Sequence, residues 1–71
     1  MTDKKLFEIT LLKKSKTKQN IADLLGLSLQ TVYNKINNVV DFKTGEISKI
    51  CEFLKLSNRE RDLIFFAHNV E

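Results

Sequence analysis

The chain has 71 residues, enough for one hydrophobic core but not for two, so a single domain spanning residues 1–71 is expected. Hydrophobic residues make up 42%, proline is absent, the glycines are Gly26 and Gly45, and Cys51 has no second cysteine; this composition argues against hairpin-rich folds and a disulfide framework, and no apolar run approaches the roughly 20 residues of a bilayer span. The net charge of +3 is uneven: residues 1–43 hold eight lysines against Asp3, Glu8, Asp23 and Asp41, and residues 44–71 hold four basic groups against five acids, so a polyanion-binding face is expected in the first half.

Five helical segments are legible in chain order. The first runs from about Asp3 to Lys14, with Phe7 and Leu11 at i,i+4 and Leu6 and Thr10 beside them. It is amphipathic rather than signal-peptide-like, so a cytoplasmic protein is expected. Thr17 is a good N-cap for a second helix over about Lys18 to Leu25, which places Ile21, Leu24 and Leu25 on one side. Gly26 follows where a helix end wants positive φ. Ser28 caps a third helix from about Leu29 to Asn37, with Val32 and Ile36 at i,i+4, and Asn37-Asn38 ends it because asparagine tolerates the left-handed conformation. A loop from Val39 to Lys43 leads to Thr44, the expected cap of a fourth helix whose stripe is Ile47, Ile50, Cys51 and Leu54. Ser57-Asn58-Arg59-Glu60 is a capping box that opens a fifth helix through Leu63-Ile64-Phe65-Phe66-Ala67 to about Asn69. A single helix face cannot bury four consecutive large apolar residues, so two readings of Ile64 and Phe65 stay open: they cover the open side of the domain, or they are exposed as a dimer or partner surface.

The stretch from Lys18 to Asn37 is the most informative. Two short helices joined by Gly26-Leu27-Ser28 are connected too tightly for antiparallel packing and must cross steeply. Such a crossing needs a small residue at closest approach, here Ala22, a turn glycine, here Gly26, and an apolar elbow, here Ile21, Leu25, Leu27 and Val32.

Thr17-Lys18-Gln19-Asn20-Ile21-Ala22-Asp23-Leu24-Leu25-Gly26-Leu27-Ser28 resembles the second helix and turn of the lambda-repressor/Cro helix-turn-helix family. Thr31-Val32-Tyr33-Asn34-Lys35-Ile36-Asn37 is similar to the recognition helix of small temperate-phage regulators, of Cro type or modulator-of-repression type. Glu46 to Cys51 and Ile64 to Ala67 are similar to the fourth and fifth helices of that group. The resemblance implies an all-α, lambda-repressor-like five-helix domain in a bacterial host cytoplasm, with the third helix in the major groove of double-stranded operator DNA.

Carried over by position, the base-facing residues are Ser28, Leu29, Gln30, Tyr33, Asn34 and Asn37. Gln30 and Asn34 suit adenine N6 and N7, each bidentate contact worth roughly 1–3 kcal/mol of discrimination, and Leu29 suits a thymine methyl. Phosphate contacts fall to Lys18, Gln19, Lys35 and Lys43, with Lys13, Lys14 and Lys16 adding positive potential. Lys35 departs from the family, which has an apolar residue there; Asn38 stands where many relatives have glycine, and Leu29 where a polar base reader is common.

Two functions therefore stay open. One is a repressor that occludes a promoter by binding its operator; the other is an antirepressor whose helix, with Leu29, Tyr33, Val39 and Val40, docks on a repressor protein, with or without DNA. Either would suit a homodimer or heterodimer. Cys51 reads as a core residue, His68 has no partner pattern, and Glu46, Glu52 and Glu60 belong to caps or solvent faces. No phosphate loop, nucleophile motif or metal spacing is present, so the chain is expected to be no enzyme and to need no cofactor, metal, membrane or small-molecule ligand.

Overall fold

Side-chain caps mark the starts of four helices in the computed structural model, which describes residues 1–66. Those residues form an all-α fold of α1 (Lys4–Lys13), α2 (Lys18–Leu25), α3 (Leu29–Ile36), α4 (Thr44–Leu54) and α5 (Asn58–Phe65). The Asp3 carboxylate accepts from the Leu6 N–H, and the Thr17, Ser28 and Ser57 hydroxyls accept from the N–H groups of Asn20, Thr31 and Glu60, all at 3.0–3.1 Å. Each satisfies a donor the helix cannot, worth about 1 kcal/mol. α4 differs: the N-cap is Lys43 rather than Thr44, which is already helical. The Glu46 carboxylate reaches back to the Lys43 N–H at 2.9 Å, so the helix begins one residue earlier than a threonine cap would set it.

α2 packs against α3 and α4, and α5 closes on α1 and α4. At the α2–α3 elbow Ala22 and Val32 are fully buried, with Leu25 and Leu27 packed against the core. Gly26 ends α2 at φ 68°, ψ 32°, its N–H aimed at the Ala22 and Asp23 carbonyls. A Cβ on Gly26 would meet nothing within 4 Å, so its left-handed backbone, not crowding, calls for glycine.

Three rings hold the opposite side together. Phe7 of α1, Phe42 of the α3–α4 loop and Phe65 of α5 lie with centroids 5.4–5.8 Å apart in tilted and edge-on pairs. Residues 1–3 seal this cluster. The Asp3 N–H donates to the Ile64 carbonyl at 2.7 Å, the Thr2 N–H donates to Asn38 Oδ1 at 2.8 Å, and Asn38 Nδ2 donates back to the Thr2 carbonyl at 3.0 Å. Asn38, at φ 64°, supplies the left-handed residue that relatives of the resembled group place as glycine.

This closure corrects the reading of Ile64 and Phe65 as an exposed surface; the two cover the core instead. Ile64 and Phe65 are buried, at 1% and 3% exposure, because the aromatic cluster and the N-terminal segment cover them. The residue left outward is Phe66, which departs from helical geometry at φ −127°, ψ 38°. The expected continuation through Ala67 to Asn69, and His68, lie outside the described residues.

The second correction concerns Lys35. It lies inside the fold at 6% exposure and cannot serve as a phosphate contact. Its Nζ donates to the Asp41 carbonyl at 3.1 Å, pairs with Glu46 Oε1 at 3.1 Å, and lies 5.9 Å from the Phe42 ring centroid. The position faces the core beside Val32 and Ile36. The lysine is tolerated there because its charge meets a carboxylate and a carbonyl. Burial pushes the Glu46 carboxyl up, but the Lys43 N–H and the Lys35 ammonium outweigh it and leave its pKa below the ordinary 4.5.

Removing one partner strands the other. Lys35→Ala is expected to cost about 3 kcal/mol in chemical denaturation, whereas Lys35→Met combined with Glu46→Gln stays within about 1 kcal/mol of the parent. A lowered folded-state pKa at Glu46 means that its stabilisation is complete above pH 4.5 and is lost as pH falls through the folded-state value. Stability measured between pH 6 and 3 should therefore fall less steeply in Glu46→Gln than in the parent.

Candidate functional site

α3 divides cleanly into an inner and an outer face. Val32, Lys35 and Ile36 turn inward, while Gln30, Tyr33 and Asn37 are exposed and Asn34 is half-buried. At 100° per residue the latter four share one side of the helix, with Leu29 at its edge. Ser28 is exposed at the helix start, where its hydroxyl caps Thr31 and lies 2.8 Å from Thr31 Oγ1.

The two amides on this face are coupled. Gln30 Nε2 donates to Asn34 Oδ1 at 3.1 Å, one helical turn apart. That contact uses one donor of Gln30 and one acceptor of Asn34 and leaves each amide with further donor and acceptor capacity. Two parallel amides are the chemistry that reads adenine edges or caps exposed backbone groups on another protein.

α2 adds a cation to the same surface. Lys18 Nζ stands 5.1 Å from the centroid of the Tyr33 ring and 2.6 Å from Glu8 Oε2 on α1. The hydrogen bond from Lys18 holds the Glu8 carboxyl below its ordinary value, with the nearby charges of Lys18 and Lys4 assisting against a partial burial that pushes it up. Gln19, next along α2, donates to Asp23 Oδ1 at 2.9 Å. Lys43 is exposed at the start of α4. Lys16 lies over the Phe53 ring at 4.9 Å, and Lys13 and Lys14 act on Glu60 at the head of α5.

Beside the Tyr33 edge runs an open groove of about 570 Å³ whose walls include Leu11, Leu12, Leu29 and Tyr33, with Glu8 and Lys18 at its rim. Leu12 is 79% exposed. Val39 and Val40, at 69% and 49%, form a second apolar spot beyond the other end of α3.

Gln30, Tyr33, Asn34 and Asn37 thus share one face flanked by Lys18, with Leu29 half-buried at its edge and Ser28 set apart at the helix start. Lys35, Ile64 and Phe65 are removed from it by burial. Glu8 and Leu12 were missed. Leu12 is an apolar residue one step off the Phe7–Leu11 stripe, a faint signal; Glu8 meets Lys18 across two helices, which no local pattern reveals.

Among the described residues no three His, Cys, Asp or Glu side chains converge as metal ligands, and no helix is long and apolar enough to cross a membrane. These features define a small all-α protein with an exposed polar helix set against a turn-linked neighbour. Residues 3–68 match the family model described as "Protein of unknown function (DUF739)", and the chain belongs to that family. No curated protein and no solved structure matches it.

Cys51 is half-buried against the core, and burial pushes its thiol above the ordinary value of 9.0, beyond the opposing pull of Arg61. Thiolate is the reactive form. Cys51 should therefore react with iodoacetamide at pH 7.5 several-fold more slowly in the folded protein than in urea.

Proposed function

We propose that this protein is a small transcription regulator of the lambda-repressor/Cro helix-turn-helix kind, of temperate-phage type, that binds operator DNA through α3. The observation that carries the reading is the outer face of α3, where Gln30, Tyr33, Asn34 and Asn37 stand clear of a core that takes Val32, Lys35 and Ile36. α2, the glycine turn and Ala22 at the elbow supply the scaffold that such a helix needs. Gln30 and Asn34 read base edges; Lys18, Gln19, Lys43 and the N–H groups at helix starts hold the backbone.

A second reading is favoured by the groove. Leu12, Leu29 and Tyr33 beside the amide pair, with Val39 and Val40 beyond it, offer apolar anchors unusual in a pure DNA reader. They suit an antirepressor that covers a repressor's own DNA-binding surface.

A fluorescence-anisotropy titration against the promoter DNA beside the protein's own gene, at two salt concentrations, separates the two. The DNA reading expects salt-sensitive binding that random duplex does not compete away. Gln30→Ala and Asn34→Ala should then each weaken operator binding about tenfold, within the 1–3 kcal/mol of a bidentate base contact, and leave random-duplex binding nearly unchanged. Weak and equal binding on both DNAs would turn the assignment to the antirepressor, with release of the neighbouring repressor by Leu29→Ala or Tyr33→Ala as its mark.

A further inference from the structure

We propose that Glu8 is an intramolecular stand-in for a DNA phosphate, an autoinhibitory contact that withholds one backbone contact from the α3 face. The inference rests on the DNA-binding reading above and concerns how that surface is held in check.

Lys18 opens α2, and its ammonium group lies over Tyr33, so the charge belongs to the same surface as the outer face of α3. Its distance of 2.6 Å from Glu8 Oε2 is that of a tight charge-assisted hydrogen bond. To an ammonium group a carboxylate oxygen and a phosphate oxygen are the same kind of partner, an anionic acceptor. A phosphate arriving at Lys18 therefore finds the cation already compensated and a negative charge beside it. The pair is half-sheltered rather than sealed, with side-chain exposures of 26% for Lys18 and 38% for Glu8, so Glu8 is displaceable.

Displacement has a threshold. A random duplex is held almost entirely through its backbone, and each phosphate contact contributes by releasing condensed counterions. Lys18 adds little to that sum while Glu8 occupies it. An operator is held by base contacts as well, and these align the backbone closely enough to exchange Glu8 for a phosphate. Glu8 thus weakens random binding by the one contact it withholds and operator binding by the full cost of its own displacement, which is the larger of the two, so it holds down both. The contact also differs from that of Lys35, which is buried and whose acidic partner Glu46 is only 16% exposed.

The test is a titration of the full chain against random duplex and against the promoter duplex between 50 and 200 mM salt. Glu8→Gln should bind random duplex about five- to tenfold more tightly at 0.1 M salt, with a log–log salt slope steeper by about 0.9, the increment for one phosphate on B-DNA. Its gain on the promoter duplex should be at least as large, with the slope nearly unchanged, because the parent already makes that contact there at the cost of displacing Glu8. Glu8→Gln combined with Lys18→Gln should lose the gain, and circular dichroism of each variant confirms that the fold persists. If the parent binds DNA and Glu8→Gln leaves affinity and slope unchanged, the inference falls and the DNA reading stands. A gain that survives in the double variant also overturns it, because the effect would then be the missing negative charge at long range and not the release of Lys18. If neither the parent nor Glu8→Gln binds either duplex, both the inference and the DNA reading fall.

Discussion

The ammonium group of Lys35 lies under the last turn of α3, held by the Asp41 carbonyl, the Glu46 carboxylate and the edge of the Phe42 environment. Taking that charge out of water is unfavourable unless all of its partners are in place, so the site fixes several elements at once. Asp41 and Phe42 belong to the α3–α4 loop, and Glu46 is also the group that caps α4 through the Lys43 N–H. One buried cation therefore ties the loop and the first turn of α4 to α3, whose rotation it shares with Val32 and Ile36. That rotation decides which side chains face outward. With Lys35 inside, Gln30, Tyr33, Asn34 and Asn37 are outside, and the candidate site exists as a by-product of how the core is closed.

Much of the fold is written in short-range chemistry and was legible from the chain alone. Thr17, Ser28 and Ser57 cap the helices that their spacing assigns to them, Gly26 takes the left-handed turn, and Ile47, Ile50 and Leu54 line the core face of α4. Each of these depends on neighbours within about four residues. Apart from the α4 cap, which falls on Lys43 rather than Thr44, the features that were misread depend on distant ones. Ile64 and Phe65 are covered by residues 1–3 and by Phe42, and nothing near residue 64 says so. The fate of Lys35 turns on Glu46, eleven positions away and in another helix. Ser15 and Lys55 adopt positive φ at 59° and 56° without the glycine or asparagine that usually announces it, so their turns carry no residue-type signal. Lys55 does so as the C-cap of α4, where its N–H meets the Cys51 and Glu52 carbonyls.

The outer face of α3 was legible for the same reason that the caps were: a helix with Val32 and Ile36 inside must turn Gln30, Tyr33 and Asn34 out. Its surroundings were not. The groove beside Tyr33 is assembled from three helices, and Glu8 reaches Lys18 only after α1 and α2 have packed. The residue set on the outer face of α3 is thus local, whereas its electrostatic and apolar setting is a tertiary property. A related chain with the same α3 and a different residue at position 8 or 12 would present that helix in a different setting.

The bonds from Thr2 to Asn38 and from Asp3 to Ile64 have a consequence for how the molecule comes into being. A ribosome delivers the N-terminal residues first, yet their partners are 36 and 61 positions later. Until α5 has emerged, Phe7 has neither Phe65 beside it nor a covered edge, and the nascent chain holds its first helix against an unfinished wall. α2 and α3, joined by a three-residue turn and packed directly on each other, can pair early. The outer face of α3 is thereby set before the clasp that makes it permanent, and the domain can lock only once α5 has left the ribosome.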